Sequence, residues 1–259
     1  MFPDLIDIGF LHLKTYGACM AVGFLLCWHL VERLSGRKDL SNLVLSLMAS
    51  GVAGSRIAYV IEHWQAEFAA HPERIVRVDQ GGLMFYGGLI LALAVFVAWC
   101  LAKGENLPGM ADLFAVVVPL GHAFGRLGCF FYGCCYGRDS DAWCAVTFPA
   151  GSPSWYEHGR RLVSVLPTQL FEAGALLGLF AVLLIVRAKS GSRHPGLLTG
   201  VYLVGYAAVR FGIECLRGDP RAGVGPFSIS QTISLALAAV GAAVAVWGGF
   251  LKGKCRKRK

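Results

Sequence analysis

Residues 121–138 decide the fold of this chain and read GHAFGRLGCFFYGCCYGR. They close an apolar run that begins near Gly109 and is long enough to cross a bilayer. Arg126 lies near the end of this run, between Gly125 and Gly128. A charge at membrane depth costs at least ~2.5–3.5 kcal/mol and usually serves a function, and glycines beside it let backbones approach closely. We therefore interpret the stretch as an anion site embedded in a membrane.

The composition of the 259-residue chain is that of a membrane protein. Hydrophobic residues make up 56% of the chain and charged residues 15%, whereas globular domains carry roughly 25% charged residues. The formal net charge is +8, but the basic residues form no single patch that would bind nucleic acid, while attraction to anionic lipid stays open. The N-terminus lacks a basic region and a small-residue cleavage site, so we expect a retained membrane anchor instead of a cleaved signal peptide.

Seven apolar stretches approach the ~20 residues that a ~30 Å hydrocarbon core requires. They predict an all-α membrane protein that forms a single polytopic domain over residues 1–259, with a basic tail at 252–259. The connectors 63–82 and 131–166 are long enough to form structure outside the membrane. The predicted spans are 15–31, 41–62, 83–102, 109–130, 167–186, 196–216 and 229–251.

Lysine and arginine are denser on one side of the predicted spans than on the other. Connectors 32–40, 103–108 and 187–195, together with the tail, carry more of them in fewer residues than the opposite segments. Cytoplasmic connectors carry this excess in membrane proteins. The sequence therefore predicts an N-terminus outside the cytoplasm, a cytoplasmic C-terminus and both long connectors on the outer side.

Three arginines fall inside predicted spans, and each lies toward the outer end of its span. Guanidinium forks match phosphate bidentately, so a phosphate site explains three arginines at one depth better than snorkelling of a single side chain. The coincidence predicts a polar cavity with excess positive charge in the outer half of the membrane. The three are Arg56, Arg126 and Arg210, and Tyr16, Tyr86, Gln169, Glu172 and Glu214 share their depth.

Two carboxylates in the spans have simpler interpretations. Arg210, Glu214 and Arg217 are spaced i, i+4 and i+7, which predicts one helix face. An ion-pair ladder that lowers the cost of insertion explains Glu214 and Arg217 as well as a substrate site does. Asp112 lies at the other end of the fourth span, where we expect it to cap a helix or to pack.

Four of the nine cysteines are expected on the outer side. Cys129, Cys134, Cys135 and Cys144 are spaced C-x4-C-C-x8-C, which is not a zinc signature, so we predict no metal site. A disulfide is plausible outside the cytoplasm, and a thiol oxidase would also place cysteines there. Small packing residues in a tight turn are the simpler alternative.

Several motifs in a fixed order resemble those of the phosphatidylglycerol–prolipoprotein diacylglyceryl transferases. Many members of that family carry His where this chain has Tyr86 and Asn where it has Cys129, and this chain is similar to a branch whose signature reads GRLGCF…GCCYG. The motifs are Thr15-Tyr16-Gly17, Gly54–Val60, Gly81–Gly88, Gly125–Phe130 with Gly133 and Gly137, Pro167–Glu172, and Arg210–Pro220.

The resemblance implies transfer of the diacylglyceryl group of phosphatidylglycerol to the lipobox cysteine thiol of a preprolipoprotein. A thioether forms and glycerol phosphate leaves. The implied setting is the bacterial inner membrane, with the active site facing the outer leaflet and the periplasm. The implied partners are phosphatidylglycerol, signal peptides with a lipobox cysteine and the lipid bilayer, without nucleic acid, metal or cofactor.

The resemblance also implies roles for individual residues. Arg126 and Arg210 would stabilise the phosphate and the leaving group, Glu214 would orient Arg210, and Tyr86 would contact the thiol or relay its proton. Substrate-binding residues are further expected at Tyr16, Arg56, Gly125, Gly128, Cys129, Gln169, Glu172 and Arg217.

Two other functions compete with a transferase on the sequence alone. A thiol oxidase would lose its activity if the four outer cysteines were replaced by serine, whereas a transferase should tolerate most of these changes. A transporter of anionic lipids would share the basic cavity but would release no glycerol phosphate.

Overall fold

The computed structural model of the chain describes residues 4–7, 12–77, 81–190, 194–219 and 223–256, and helices dominate it. Seven of the described helices are long and apolar enough to cross a membrane, which confirms the predicted fold class. Helices satisfy all backbone hydrogen bonds internally, as a bilayer requires. They are α1 (Thr15–Ser35), α2 (Leu40–Glu62), α3 (Phe85–Lys103), α4 (Leu107–Tyr132), α6 (Thr168–Ser190), α7 (Leu197–Glu214) and α8 (Ile229–Arg256), and the short α5 spans Pro153–Glu157.

Both long connectors carry ordered elements. The 63–82 connector contains a π-helical turn at Trp64–Phe68 and a 3-10 helix at Pro72–Val76. The basic tail continues α8 as far as Arg256, and residues 257–259 lie outside the described residues. Three antiparallel hairpins pair β1 (Asp4–Asp7) with β2 (His12–Lys14), β3 (Val146–Thr147) with β4 (Ser164–Val165), and β5 (Gly223–Val224) with β6 (Phe227–Ser228).

The chain forms two compact units. The first contains residues 1–30 and 111–259, and the second contains residues 31–110. The single domain and the membrane orientation of the sequence analysis stay predictions.

In the second unit, α2 packs against α3 through glycines. A Cβ atom on Gly54 would lie 2.5 Å from the carbonyl oxygen of Gly87 and 2.7 Å from Leu91 Cβ. A Cβ on Gly88 would meet the carbonyl oxygen of Gly51 at 2.5 Å. Because lipid offers no hydrophobic driving force between helices, this close backbone packing is what holds the pair together.

In the first unit, α4, α6 and α7 share a small core. Ala123 of α4 and Ala173 and Leu176 of α6 are buried, and Leu127 and Tyr206 pack against them. The small alanine side chains bring the three helices close to one another. This core sets the distances among the polar side chains that lie further along the same helices.

Asp112 caps a helix, as expected, but not its own. The buried carboxylate accepts hydrogen bonds of 2.8 Å from Gly196 N and from the backbone and hydroxyl groups of Thr199. These donors belong to the N-terminus of α7, where a negative charge is favourable. Asp112 therefore ties the start of α4 to the start of α7, and the sequence could not show which helix end it serves.

The 131–166 connector is fastened to the chain that follows α7. Gly137 N donates to Leu166 O at 2.8 Å, and Arg138 N donates to Leu216 O at 2.9 Å. A Cβ on Gly137 would lie 2.7 Å from Leu166 Cβ, so only glycine fits this crossing. The connector has its own buried core, formed by Tyr136, Phe148 and Val165.

The glycine packing of the second unit predicts a stability difference between two substitutions in one helix. Gly54→Ala should lower the melting temperature in detergent, because the new methyl group meets backbone and overpacking typically costs about 1–3 kcal/mol. Gly51→Ala is the matched control, because a Cβ there meets nothing within 4 Å. Equal melting temperatures for the two variants would contradict this packing.

His158 of the 131–166 connector predicts a pH dependence. Its Nδ1 lies 2.6 Å from Ser154 O and its Nε2 lies 3.0 Å from Asp139 Oδ1, so both ring nitrogens face acceptors. Burial lowers the pKa of His158, but the hydrogen bonds to Ser154 and Asp139 outweigh burial and raise it overall. A raised pKa in the folded state gives stability that is complete below the unfolded pKa of ~6.5 and is lost as the pH rises through the folded pKa.

The measurement is thermal unfolding of the wild type and of His158→Gln between pH 5.5 and pH 8.5. We expect the wild type to lose more stability than the variant as the pH rises. Parallel pH profiles for the two proteins would show that the His158 contacts do not stabilise the charged imidazole.

Candidate active site

A buried carboxylate lies between two arginines in the first unit. Glu172 of α6 has 1% of its side chain exposed, and its Oε2 lies 3.0 Å from Arg126 Nε of α4 and 3.7 Å from Arg210 Nη1 of α7. The arginine side chains are themselves only 14% and 11% exposed. Because a buried charge without a partner is strongly unfavourable, Glu172 is what allows both guanidinium groups to be held in the protein interior.

The start of α8 completes the surroundings of Arg210. Arg210 Nη2 lies 2.8 Å from Glu214 Oε2 and donates to Ser230 Oγ at 3.0 Å, while Ser228 Oγ donates to Glu214 Oε1 at 2.8 Å. The contact that an orienting role for Glu214 requires is therefore present. Ser228 and Ser230 are not among the residues that the sequence predicts for the site, although both lie at or beside the start of the last predicted span.

Some buried polar atoms in this cluster lack an aligned hydrogen bond. Arg126 Nε and Arg210 Nη1 have no hydrogen-bond acceptor among the residues that the structure describes, because Glu172 lies close to them without the required alignment or distance. Gln169 Oε1 and Glu172 Oε1 likewise find no donor within the described ranges. An unsatisfied buried polar group costs about 1–3 kcal/mol. The cluster therefore holds hydrogen-bonding capacity that its described neighbours do not use in full.

The cluster itself is electrically balanced, and the predicted cavity with excess positive charge, which also includes Arg56, stays a prediction. Each of its arginines has a carboxylate within ion-pair distance. The physical reason is the low dielectric of the interior, where unpaired cations are not tolerated. The pairing residues are Arg126, Arg210 and Arg217 on one side and Glu172, Glu214 and Asp219 on the other.

Arg217 does not share a helix face with Arg210, contrary to the spacing argument. Helix α7 ends at Glu214, and Arg217 lies in the chain beyond it, where it forms a β-bridge with Gly137. Its guanidinium grips Asp219 with two hydrogen bonds, of 2.8 Å and 2.6 Å. The pairing of Arg217 with the connector therefore takes the place of a further turn of α7. A substrate-binding role for Arg217 stays a prediction.

Gly125, Gly128 and Tyr16 lie where α1 packs against α4. A Cβ on Gly128 would lie 2.8 Å from the Tyr16 ring, and a Cβ on Gly125 would lie 3.3 Å from the sulfur of Met20. The two glycines, one before and one after Arg126 in the sequence, thus let α1 pack closely against α4. Tyr16 remains 41% exposed beside them.

Arg56 belongs to the second unit and contacts only backbone oxygens there, as far as its described hydrogen bonds go. Its Nε donates to Ile75 O, its Nη1 to Gly81 O and Gly82 O, and its Nη2 to Arg74 O and Arg77 O, at 2.6–3.0 Å. These bonds use all five donors of a guanidinium. The geometry favours Arg56 as the anchor of the 63–82 connector, and its predicted role in substrate binding is untested.

Tyr86 also belongs to the second unit. It lies in the first turn of α3, is 54% exposed and packs edge-on against Phe85 at 5.7 Å between ring centroids. Its phenol is thus accessible, as a contact with a substrate thiol would require. Its role stays a prediction.

Three of the four outer cysteines meet at the end of α4. The Sγ atoms of Cys129, Cys134 and Cys135 all lie within 4.8 Å of one another, and the three cysteines are free thiols of intermediate burial. Of the three, only Cys129 is among the substrate-binding residues that the resemblance implies. The turn that follows Gly133 brings the other two back to it, and the spacing along the chain could not reveal this convergence.

The convergence is held by the start of α6. Gln169 Nε2 donates to Cys134 O at 2.7 Å, and Thr168 Oγ1 donates to Cys135 O at 2.9 Å. Both donor residues are 1% exposed. Gln169 therefore holds the cysteine turn with its amide nitrogen.

Fold and site together define a class: a polytopic membrane protein with a buried arginine–carboxylate cluster whose open hydrogen bonds suit an anionic ligand. The chain belongs to the prolipoprotein diacylglyceryl transferase family, whose pattern it matches over residues 3–247.

Individual relatives agree with this assignment over nearly the whole chain. Proteins named phosphatidylglycerol–prolipoprotein diacylglyceryl transferase are 29% identical in Geobacter sulfurreducens (94% of this chain and 94% of the relative), 32% in Agrobacterium fabrum (86% and 81%) and 30% in Vibrio atlanticus (95% and 90%). The resemblance stated from the motifs is therefore confirmed.

The double contact of Glu172 predicts that its charge stabilises the fold. Glu172→Gln keeps the shape of the side chain but removes the carboxylate beside Arg126 and leaves Arg210 with Glu214 alone, and a buried charge that loses its partner typically costs on the order of 3–5 kcal/mol. We expect a melting temperature several degrees below that of the wild type. Glu73→Gln is the control, because the Glu73 side chain is 67% exposed, and its melting temperature should equal that of the wild type. A variant of Glu172 as stable as the wild type would show that the cluster needs no bridging charge.

Proposed function

We infer that this chain transfers the diacylglyceryl group of phosphatidylglycerol to prolipoproteins, the first step of lipoprotein maturation. The observation in the structure that supports this function best is the buried Arg126–Glu172–Arg210 cluster with its open donors. Phosphatidylglycerol carries a phosphodiester, which supplies acceptor oxygens, and a terminal glycerol, which supplies hydroxyl donors. These groups complement the hydrogen-bonding capacity that the cluster's described neighbours do not use in full.

We propose that the two arginines act on the leaving group. The nucleophilic thiolate attacks the glyceryl carbon, the carbon–oxygen bond to the phosphate breaks, and its electron pair stays on the phosphate oxygen. The ligand changes from a phosphodiester monoanion toward a phosphate monoester with more charge. Donors aimed at this developing charge in a water-poor site lower the barrier, an effect that is often the largest in catalysis.

We assign Glu172 and Glu214 to positioning in the proposed mechanism. Glu172 holds the two guanidinium groups near one point, and Glu214 with Ser230 fixes the far side of Arg210. Because carboxylates neutralise the two arginines before the lipid binds, two unpaired positive charges do not attract the lipid in its ground state. The arginines then gain most as the phosphate charge grows, which is the condition for catalysis by differential binding.

The acceptor in this proposal is the lipobox cysteine of a preprolipoprotein signal peptide. We propose that the chain is a multi-pass protein of the bacterial inner membrane with its N-terminus and active site on the periplasmic side. Tyr86 is proposed as a hydrogen-bond partner or proton relay of the thiol, and Tyr16, Cys129 and Gln169 as further substrate contacts. The positive-inside bias and the family membership support this arrangement.

The function is tested by incubating purified protein with phosphatidylglycerol and a synthetic signal peptide that carries a lipobox cysteine. Mass spectrometry should detect the diacylglyceryl thioether, and glycerol phosphate should appear in equal amount. The same peptide with serine in place of the cysteine should give no product. Folded protein that forms no thioether would refute the proposed function.

Arginine substitutions test the proposed mechanism. Arg126→Ala and Arg210→Ala should each lower the transfer rate by at least ~100-fold, the loss typical of one transition-state donor. Tyr86→Phe should keep part of the activity. Arg161→Ala is the control, because Arg161 is exposed and lies outside the cluster. Transfer at the wild-type rate by folded Arg210→Ala would rule out its role on the leaving group.

A further inference from the structure

Of the three converging thiols at the end of α4, Cys134 and Cys135 have no role in the transfer chemistry described so far, and Cys129 is proposed there only as a substrate contact. Their Sγ atoms lie within 4.8 Å of one another. In a tetrahedral zinc site with Zn–S bonds of about 2.3 Å, neighbouring sulfurs lie ~3.8 Å apart. Small rotations of the side chains therefore suffice to close this cluster around one ion.

The backbone of the turn is arranged for this convergence. Cys135 has φ 63, in the left-handed region that only two described residues other than glycine occupy. Such a conformation costs about 1–3 kcal/mol and persists only where the surroundings impose it. Here Thr168 and Gln169 hold the carbonyl oxygens of Cys135 and Cys134. Adjacent side chains of an extended chain point apart, so this turn is what brings both sulfurs to Cys129.

The charges around the sulfurs suit thiolates. The charge of Arg217 acts on Cys135, and Arg126 interacts electrostatically with Cys129 and Cys135. Three thiolates with one Zn²⁺ carry a net charge of −1, which becomes −2 when a fourth thiolate binds. The two nearby guanidinium groups offset this charge.

The number of ligands indicates the kind of site. Structural zinc sites are closed by four protein ligands, whereas catalytic sites use three and leave the fourth position open. Among the described residues, the group of potential metal ligands consists of these three cysteines alone. Arg126, which is proposed to act on the leaving phosphate, interacts electrostatically with Cys129 and Cys135 of this group.

We propose that Cys129, Cys134 and Cys135 bind a Zn²⁺ ion whose fourth position takes the thiol of the acceptor peptide. This inference rests on the proposed function, because it assigns the activation of that thiol. A thiol that coordinates Zn²⁺ is deprotonated, and the thiolate is the competent nucleophile. The site therefore removes the need for a strong base beside the thiol. It revises two expectations, that the reaction needs no metal and that a transferase tolerates serine at most of the four cysteines.

The proposed step is balanced. The peptide thiol gives its proton to solvent on binding, and its sulfur forms a bond to the glyceryl carbon of phosphatidylglycerol. The bond from that carbon to the phosphate oxygen breaks, and glycerol phosphate leaves with the electron pair. No oxidant or reductant takes part. The thioether sulfur is neutral and a weaker ligand than a thiolate, so the product leaves the ion and the site accepts the next thiol.

Cobalt is the probe for the site, because Co²⁺ replaces Zn²⁺ in thiolate sites and absorbs visible light. Full-length protein is reduced, stripped of metal and titrated with Co²⁺ without oxygen. We expect one ion per chain, thiolate-to-cobalt charge-transfer absorption, and loss of both when Zn²⁺ is added. Cys134→Ser should weaken binding by more than the ~10–100-fold that the loss of an outer-shell partner costs. Cys144→Ser, outside the cluster, should bind as the wild type does.

The peptide provides a second readout that is independent of activity. The cysteine peptide should shift the visible bands of the cobalt-loaded protein, and the serine peptide should leave them unchanged. Equal Co²⁺ binding by the wild type and Cys134→Ser, or a disulfide between two of the three cysteines in protein purified without reductant, would overturn the proposal. The wild-type titration needs no variant, so a Cys134→Ser protein that fails to fold leaves the test decisive.

Transfer assays separate this inference from the proposed function. We expect metal-free protein to transfer at least ~100-fold more slowly than protein reloaded with one Zn²⁺, since a lowered thiol pKa and a positioned nucleophile are lost together. Metal-free protein as fast as reloaded protein would overturn the zinc site and leave the function intact. A cobalt site that responds to the peptide in a protein that makes no thioether would refute the function and leave the site.

Discussion

The buried contact of Glu172 with two arginines is the interaction on which the rest of the first unit depends. Arg126, Arg210 and Glu172 come from three different helices, so their charges can be buried only if all three helices are in place. The small alanines in the core of α4, α6 and α7 allow this close approach, because larger side chains would separate the charges. A weak small-residue core and a strong polar contact thus stabilise the same three helices.

The carboxylate also explains how an apolar protein can hold two guanidinium groups in its interior. Neutral pairing removes most of the cost of burial, and imperfect alignment leaves Arg126 Nε and Arg210 Nη1 with hydrogen bonds to give. A fully satisfied cluster would be more stable and less reactive. The family to which the chain belongs acts on phosphatidylglycerol, and an anionic lipid headgroup is the kind of ligand that such an arrangement suits.

The 131–166 connector gives the site its second component. It leaves α4 through Gly133, passes the cysteine turn and is tied to Leu166 and Leu216 before α6 begins. The start of α6 then contributes Thr168 and Gln169 to the turn and Glu172 to the arginines. The start of α6 therefore contacts both the sulfur cluster and the charged cluster. We expect a substitution in one cluster to alter the geometry of the other.

The sequence by itself determined the membrane class and the seven spans, because hydrophobic length is a local property, and the cost of intramembrane charge singled out the arginines inside them. The ordered motifs added the family. The sequence could not predict the partners of the charged side chains. Arg217 pairs with Asp219, Arg56 donates to backbone carbonyls, and Asp112 accepts from the start of α7. The meeting of three cysteines was equally hidden in their spacing. Such contacts join residues far apart in the chain or across an irregular turn, and only the packed tertiary structure fixes their distances.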